Sequence, residues 1–227
     1  MIKASSSSSA LKKINERRSR TMTSIAAEAI EDMIVNGDLV AGDRINESYL
    51  ADQLGISRGP IREACRSLEQ AGLLSNKTNR GMYVREMSLD EARELYELRG
   101  AIAALVGELI VKRGKDKEIS ALVDLVDRMQ QAANASDAPS YYKLNLQFHD
   151  ALVEASGNRT LAVTYHRIVN QLHLLRRRGL VQEGNLEISN QEHRAITDAL
   201  VARDSEAAAA AMKSHVTNGL SRLLASI

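Results

Sequence analysis

The chain has no tryptophan, one phenylalanine and one cysteine in 227 residues. Each scarcity removes a reading. With Cys65 alone no intrachain disulfide can form, and nothing marks an oxidising compartment. Few aromatics beside abundant Ala, Leu and Glu favour a largely helical chain. The longest apolar stretch, GAIAALVGELIV at 100–111, contains Glu108 and is too short to cross a bilayer. The N-terminal MIKASSSSSALKK lacks the apolar core of a signal peptide, so a cytoplasmic protein with no membrane partner is expected. There is no HExxH sequence and no Gly-rich phosphate loop, and no organic cofactor is expected.

What is present suits a soluble globular protein: 44% hydrophobic and 26% charged residues, with length for one large or two small domains. The net charge of +1 conceals a segregated distribution. Residues 1–20 carry six basic residues against Glu16, and residues 57–85 carry six against Glu63 and Glu69. The intervening residues 21–56 hold Arg44 against seven acidic residues. Clustered positive charge is the footprint of a surface that meets phosphates, although a basic stripe by itself is most often a solvated face.

The stretch LGISRGPIREACRSLEQAGLL, residues 54–74, sharpens this. Arg58, Arg62 and Arg66 recur every four residues and so share one helix face, with Ile61, Ala64, Cys65 and Leu68 on the other. Ser57 is a suitable N-cap, Pro60 falls in the first turn, and Gly72 is placed to end the helix in a left-handed conformation. Ahead of it, periodicity predicts a helix over 22–35 with Ile25, Ala29 and Met33 on one face. A short helix follows over 47–54 with Leu50 and Leu54 inward, and Gly55 breaks it. Two helices joined by a glycine-containing turn make a helix-turn-helix. Beyond Gly72, short β-prone pieces at about 73–75 and 82–86 flank a loop with Asn79 and Gly81, which predicts a hairpin.

The expected architecture is therefore mainly α. A disordered basic arm occupies 1–20, a winged helix-turn-helix 21–87, and an all-α bundle of about six helices 88–227. The bundle opens at a Ser88–Glu91 capping box, and its helices are expected at about 88–113, 117–134, 138–156, 159–179, 186–203 and 205–225. In a helix-turn-helix the second helix enters the major groove of double-stranded DNA, where arginine pairs bidentately with guanine. Arg58 and Arg62 are the expected base readers, with Arg66 on phosphate. Ser57, Gly59 and Pro60 complete the approach, and Lys77, Arg80 and Gly81 bring the wing to the backbone or minor groove.

The segment IVNGDLVAGDRINESYLADQLGISRGPIREACRSLEQAGLLSNKTNRGMYV resembles the DNA-binding domain of GntR-family bacterial transcription regulators. ELYELR, NLQFHDALVEASGN and NQEHRAITDAL resemble the all-helical (FCD-type) effector domain of the FadR-like subfamily. The resemblance runs from about residue 22 to the end. It implies a homodimeric regulator, expected to be a repressor, that binds a palindromic operator and releases it when a small effector, often an organic acid, occupies the bundle. Gly59 stands where the family usually has threonine, and Ala103 where a glutamate often follows the arginine of the first bundle helix.

The same resemblance implies a metal site at Asn145, His149, His193 and His215, with Asn145 where an aspartate is usual. Asn145 and His149 share a helix face, and three imidazoles suit Zn²⁺, Ni²⁺ or Mn²⁺; an amide in place of a carboxylate predicts weaker binding. Taken singly, each histidine is more often an ordinary hydrogen-bonded one. Arg99 is the expected effector anchor, a salt bridge to a neighbouring helix being the other reading. His166, His173 and Arg176–Arg178 are expected to be packing or surface residues. Three histidines also describe a metal-dependent hydrolase, the alternative function, and an architectural DNA-binding protein is a third class. Glu192, beside His193, is read as a poor general base.

Overall fold

The computed structural model describes residues 21–180 and 185–225, without the side chains of 35–36 and 173–180. The expected basic arm, and the side chains of His173 and Arg176–Arg178, lie outside the described residues. The chain divides between Glu86 and Met87 into two compact units.

In the first unit, α1 (Met22–Asn36) starts at Thr21, whose side chain accepts the Ser24 N–H, and closes on Gly37 at φ 84°. Its buried face is Ala26, Ile30 and Ile34. Of the expected face, one residue earlier in register, Ile25 is exposed while Ala29 and Met33 are half-buried. Both sets fit the 3.6-residue period, and tertiary packing selects the one richer in large aliphatic side chains. Helix α2 (Glu47–Leu54) is capped by the Asn46 side chain, and Gly55, at φ 64°, supplies the left-handed residue that turns the chain into α3 (Arg58–Gln70). Ile61, Ala64, Cys65 and Leu68 of α3 are buried. Fully burying an Ile or Leu contributes about 1.5–3 kcal/mol, so this face anchors α3 and leaves the arginine face exposed.

The wing consists of β1 (Leu74–Lys77) paired antiparallel with β2 (Gly81–Val84), from Leu74↔Val84 to Lys77↔Gly81. Pairing extends closer to the turn than the expected 73–75 and 82–86, because Asn79 (φ 60°) and Gly81 (φ 96°) take left-handed conformations that reverse the chain in three residues. A further segment joins the outer edge of β2: Arg44 bridges Tyr83, and Ile45 N–H donates to the Met82 carbonyl at 2.9 Å.

The second unit has six helices among the described residues: α4 (Leu89–Arg113), α5 (Asp116–Asn134), α6 (Ala138–Ala155), α7 (Arg159–Leu180), α8 (Asn185–Val201) and α9 (Ser205–Ala225). Ser88 Oγ accepts the Glu91 N–H at 3.2 Å and starts α4, and Asp137 caps α6 ahead of Pro139. Helix α4 lies along α9, while α5 packs against α6 and α8. The α4–α9 approach is close because Gly107 has no side chain: a Cβ there would sit 2.9 Å from the Ala208 carbonyl carbon and oxygen. Val106, Ile110, Leu122, Val126, Phe148 and Leu200 form the centre of the core. Helices α6, α8 and α9 each contribute a histidine to it.

Candidate DNA interface and buried histidine site

On α3, Arg58, Gly59, Arg62 and Arg66 are exposed together, and Pro60 is half-buried in the first turn. Ser57 occupies the N-cap position but makes no side-chain capping bond, contrary to expectation. Its backbone is extended as a cap requires, and its exposed hydroxyl remains available to a phosphate at the positive end of the helix. The arginines also have protein partners. Arg62 Nε donates to Glu47 Oε2 at 3.2 Å, and Arg66 Nη1 to Glu63 Oε1 at 2.8 Å. Because the Arg62 bond uses Nε, both Nη groups keep their donors for a guanine edge. Glu47, at the first turn of α2, thus stiffens a side chain that otherwise samples many rotamers.

In the wing, Lys77 is drawn along the sheet, its Nζ 3.6 Å from Glu86 Oε2 and 4.6 Å from the Tyr83 ring centre. Arg80 is exposed in the turn beside Gly81. Arg44, which sequence reasoning passed over, joins this group: its Nε and Nη2 lie 3.8 Å from where a Gly81 Cβ would be. No local motif marks it, since its place depends on pairing with residues about 40 positions later.

In the second unit, His149 (α6), His193 (α8) and His215 (α9) converge, with one ring nitrogen of each within 4.8 Å of the others. All three are buried. His149 Nε2 and His215 Nε2 stand 3.2 Å apart. The His215–His193 and His149–His193 ring centres are 4.6 and 5.4 Å apart, and Phe148 packs on His193 at 4.7 Å. Asn145 lies one turn before His149 on the same face, 1% exposed, and neither its Oδ1 nor its Nδ2 has a hydrogen-bond partner. A buried amide left so is costly, which suits an oxygen awaiting an ion. His166 is not part of this group: its Nδ1 is 3.7 Å from Asp150 on the surface.

Glu192, dismissed as a base, organises the site from outside. Its carboxylate accepts from His215 Nδ1 (2.7 Å), Arg222 Nη1 (2.7 Å) and Nη2 (2.8 Å), and Asn218 Nδ2 (2.9 Å). Burial alone would raise its pKa, but the bonds from His215 and Arg222 bring it down to about 2. A fixed carboxylate at Nδ1 makes that nitrogen the donor, so in the neutral ring Nε2 carries the lone pair and faces His149. Burial keeps the ring neutral by pushing its pKa down, against the pull of Glu192. Carboxylate, imidazole and an inward lone pair are the arrangement that orients a metal ligand. The donor set fits a divalent ion such as zinc or nickel: three imidazoles and an amide oxygen.

Arg99 on α4 is 3% exposed, its guanidinium 5.6 Å from the centre of the Tyr96 ring. With Ala103, His149, Tyr165, Met212 and His215 it lines a small cavity. Arg99 is thus placed in the same cavity as two of the histidines.

A winged helix-turn-helix followed by a helical bundle defines a two-part protein of the DNA-binding class. Residues 23–84 match bacterial regulatory proteins of the gntR family, and residues 94–218 match the FCD domain. The chain is 31% identical over 188 residues to the HTH-type transcriptional regulator YdhC of Bacillus subtilis (strain 168), covering 82% of each chain. It is 31% identical over 192 residues to the Nta operon transcriptional regulator of Aminobacter aminovorans, covering 85% of this chain and 90% of that one. Its fold is that of E. coli McbR/YncC, with a TM-score of 0.80 at 21% identity over 91% of this chain and 98% of the other. The protein belongs to the GntR family of bacterial regulatory proteins, with a C-terminal FCD domain.

Proposed function

We propose that the protein is a sequence-specific transcriptional repressor that acts in the cytoplasm as a homodimer on a palindromic operator. A small organic acid bound in the helical unit controls its release from DNA. The observation that carries this reading is the division of labour within α3: a fully buried apolar face opposite an exposed row of Arg58, Arg62 and Arg66. Arg58 and Arg62 read bases, and Arg66, Ser57 and the N-terminal turn with Gly59 and Pro60 hold phosphate. Lys77, Arg80 and Gly81 of the wing contact the backbone, joined by Arg44.

In the helical unit, Asn145, His149, His193 and His215 hold a divalent metal, zinc, nickel or manganese. A bound ion would supply positive charge and open positions for a carboxylate. Arg99 pairs with the acid's second oxygen, and Glu192 keeps His215 in the tautomer that offers its lone pair. An acid that binds better to the arrangement unfit for the operator shifts the population away from DNA. The hydrolase alternative has no comparable support, because Glu192, held to a pKa of about 2 by His215 and Arg222, is a poor proton acceptor.

The test is selection of bound sequences from a random duplex pool, followed by affinity measurements with Arg62→Ala. A two-fold symmetric site should emerge. The variant should bind it about 5- to 150-fold more weakly, the equivalent of a lost bidentate base contact at about 1–3 kcal/mol, with relaxed preference at one base pair per half-site. Failure of any sequence to enrich would overturn the reading.

A further inference from the structure

We infer that Glu47 is a positioning residue for sequence discrimination: acting through Arg62, it makes the protein reject wrong base pairs and lowers its affinity for DNA in general. This rests on the reading that Arg62 reads a base.

A carboxylate on a face that meets phosphates works against binding, so its presence there calls for a reason. Three cations of this face each have one beside them: Arg62 with Glu47, Arg66 with Glu63, and Lys77 with Glu86. The three pairs are not alike. Glu63 lies on the same helix as Arg66, three residues before it, and both side chains are more than half exposed. Glu86 is more exposed still. Glu47 crosses from α2 to α3, between residues 15 apart in the chain, and at 29% exposure is the most sheltered carboxylate of the three. It is also held in place. Glu47 opens α2 directly after the Asn46 cap, where the helix dipole favours a negative charge. Its field reaches the underside of α3, where it adds to the upward shift of the Cys65 thiol.

A guanidinium bonded through Nε has its plane fixed, with the two Nη groups presented as one edge. Guanine offers that edge two acceptors, O6 and N7, whereas adenine offers N7 beside the N6 donor. An unrestrained arginine that meets adenine can swing to a phosphate and keep a contact. One held by Glu47 stays, facing a donor. The docked duplex also excludes water from the pair, which strengthens the attraction and leaves the covered cation balanced by Glu47. On random DNA, where binding rests on phosphates, Glu47 contributes repulsion alone.

The experiment measures the affinity of full-length protein for three probes: the duplex selected from a random pool, its single-base-pair variants, and a random duplex. Wild type, Glu47→Ala, Arg62→Ala and the double variant are compared. Glu47→Ala should bind the random duplex about 1.5- to 5-fold more tightly, the effect of removing one exposed charge. It should lose about 2- to 12-fold of discrimination per half-site at the base pair that Arg62 reads, the effect of no longer pre-ordering one long side chain. Added to Arg62→Ala, the same substitution should leave discrimination where it is. Glu63→Ala, for comparison, should tighten binding to every duplex alike. Melting temperatures show that each variant is folded, and a weakened α2 by itself would lower all affinities together without moving their ratio. Unchanged discrimination in Glu47→Ala, where Arg62→Ala relaxes it, overturns the inference and leaves Arg62 a base reader. Unchanged discrimination in Arg62→Ala overturns that reading and the inference with it. A further loss on adding Glu47→Ala to Arg62→Ala means that Glu47 does not act through Arg62, and overturns its positioning role.

Discussion

Replacing Glu192 with Gln tests how the histidine site is held. The side chain keeps its size but loses its charge and one acceptor, so His215 Nδ1, Arg222 and Asn218 can no longer all donate to it. Arg222 is 13% exposed and is left half-satisfied. A lost hydrogen bond to a charged group costs about 1.5–3 kcal/mol, so the metal-free protein should melt several degrees lower. Zinc affinity should fall separately, by about 10- to 100-fold, because nothing then fixes the His215 tautomer. Competition against a chromophoric chelator reads the affinity, and calorimetry reads the melting. Unchanged zinc affinity with lowered stability would refute the orienting role and leave an ordinary ion-pair network. The acid limb supplies an independent check. The folded-state pKa of Glu192, about 2, lies below its ordinary 4.5, so its contribution is complete above pH 4.5 and is lost as pH falls through 2. Glu192→Gln should flatten the loss of melting temperature across that window.

Gly107→Ala should destabilise the helical unit although alanine is the better helix former. The new Cβ meets backbone of Ala208 at 2.9 Å, where no side chain can swing aside, and overpacking of about 1–3 kcal/mol outweighs a propensity gain of at most about 1. A raised melting temperature would mean a looser α4–α9 contact. Cys65 is fully buried, and burial, reinforced by Glu47, pushes its thiol up to about 11. It should resist thiol reagents at pH 8 in the folded protein and react fully in denaturant; rapid native labelling would contradict the packing of α3. Arg62→Ala should lower melting by no more than the equivalent of about 1 kcal/mol, because the Glu47 pair is exposed. A larger loss would make Arg62 chiefly a structural residue.

Much of the fold was legible because its signals are local. The arginine helix, its apolar face, the Gly55 break and the six bundle helices follow from periodicity, caps and turn residues between neighbours in the chain. The register of the α1 face and the reach of the wing strands were not, since both are settled by packing against residues far away. The site was legible in a different way. His149, His193 and His215 are 44 and 22 residues apart, and no spacing rule links them; only the family resemblance put them together before the structure did. The contacts of Glu192 were not legible, because along its own helix it looks away from His193. Its partners, His215, Asn218 and Arg222, all come from α9. Arg44 escaped notice for a similar reason, being brought to the wing by a bridge to Tyr83.

The most direct test of ligand-controlled DNA binding is fluorescence anisotropy of the selected operator duplex. It would be titrated with zinc and a panel of short-chain carboxylic acids, using wild type and His193→Ala. The account predicts that one or more acids weaken the wild-type complex by about tenfold or more, and that His193→Ala binds the operator like ligand-free wild type and ignores them all. A His193→Ala protein that responds to the same acids as wild type would contradict it.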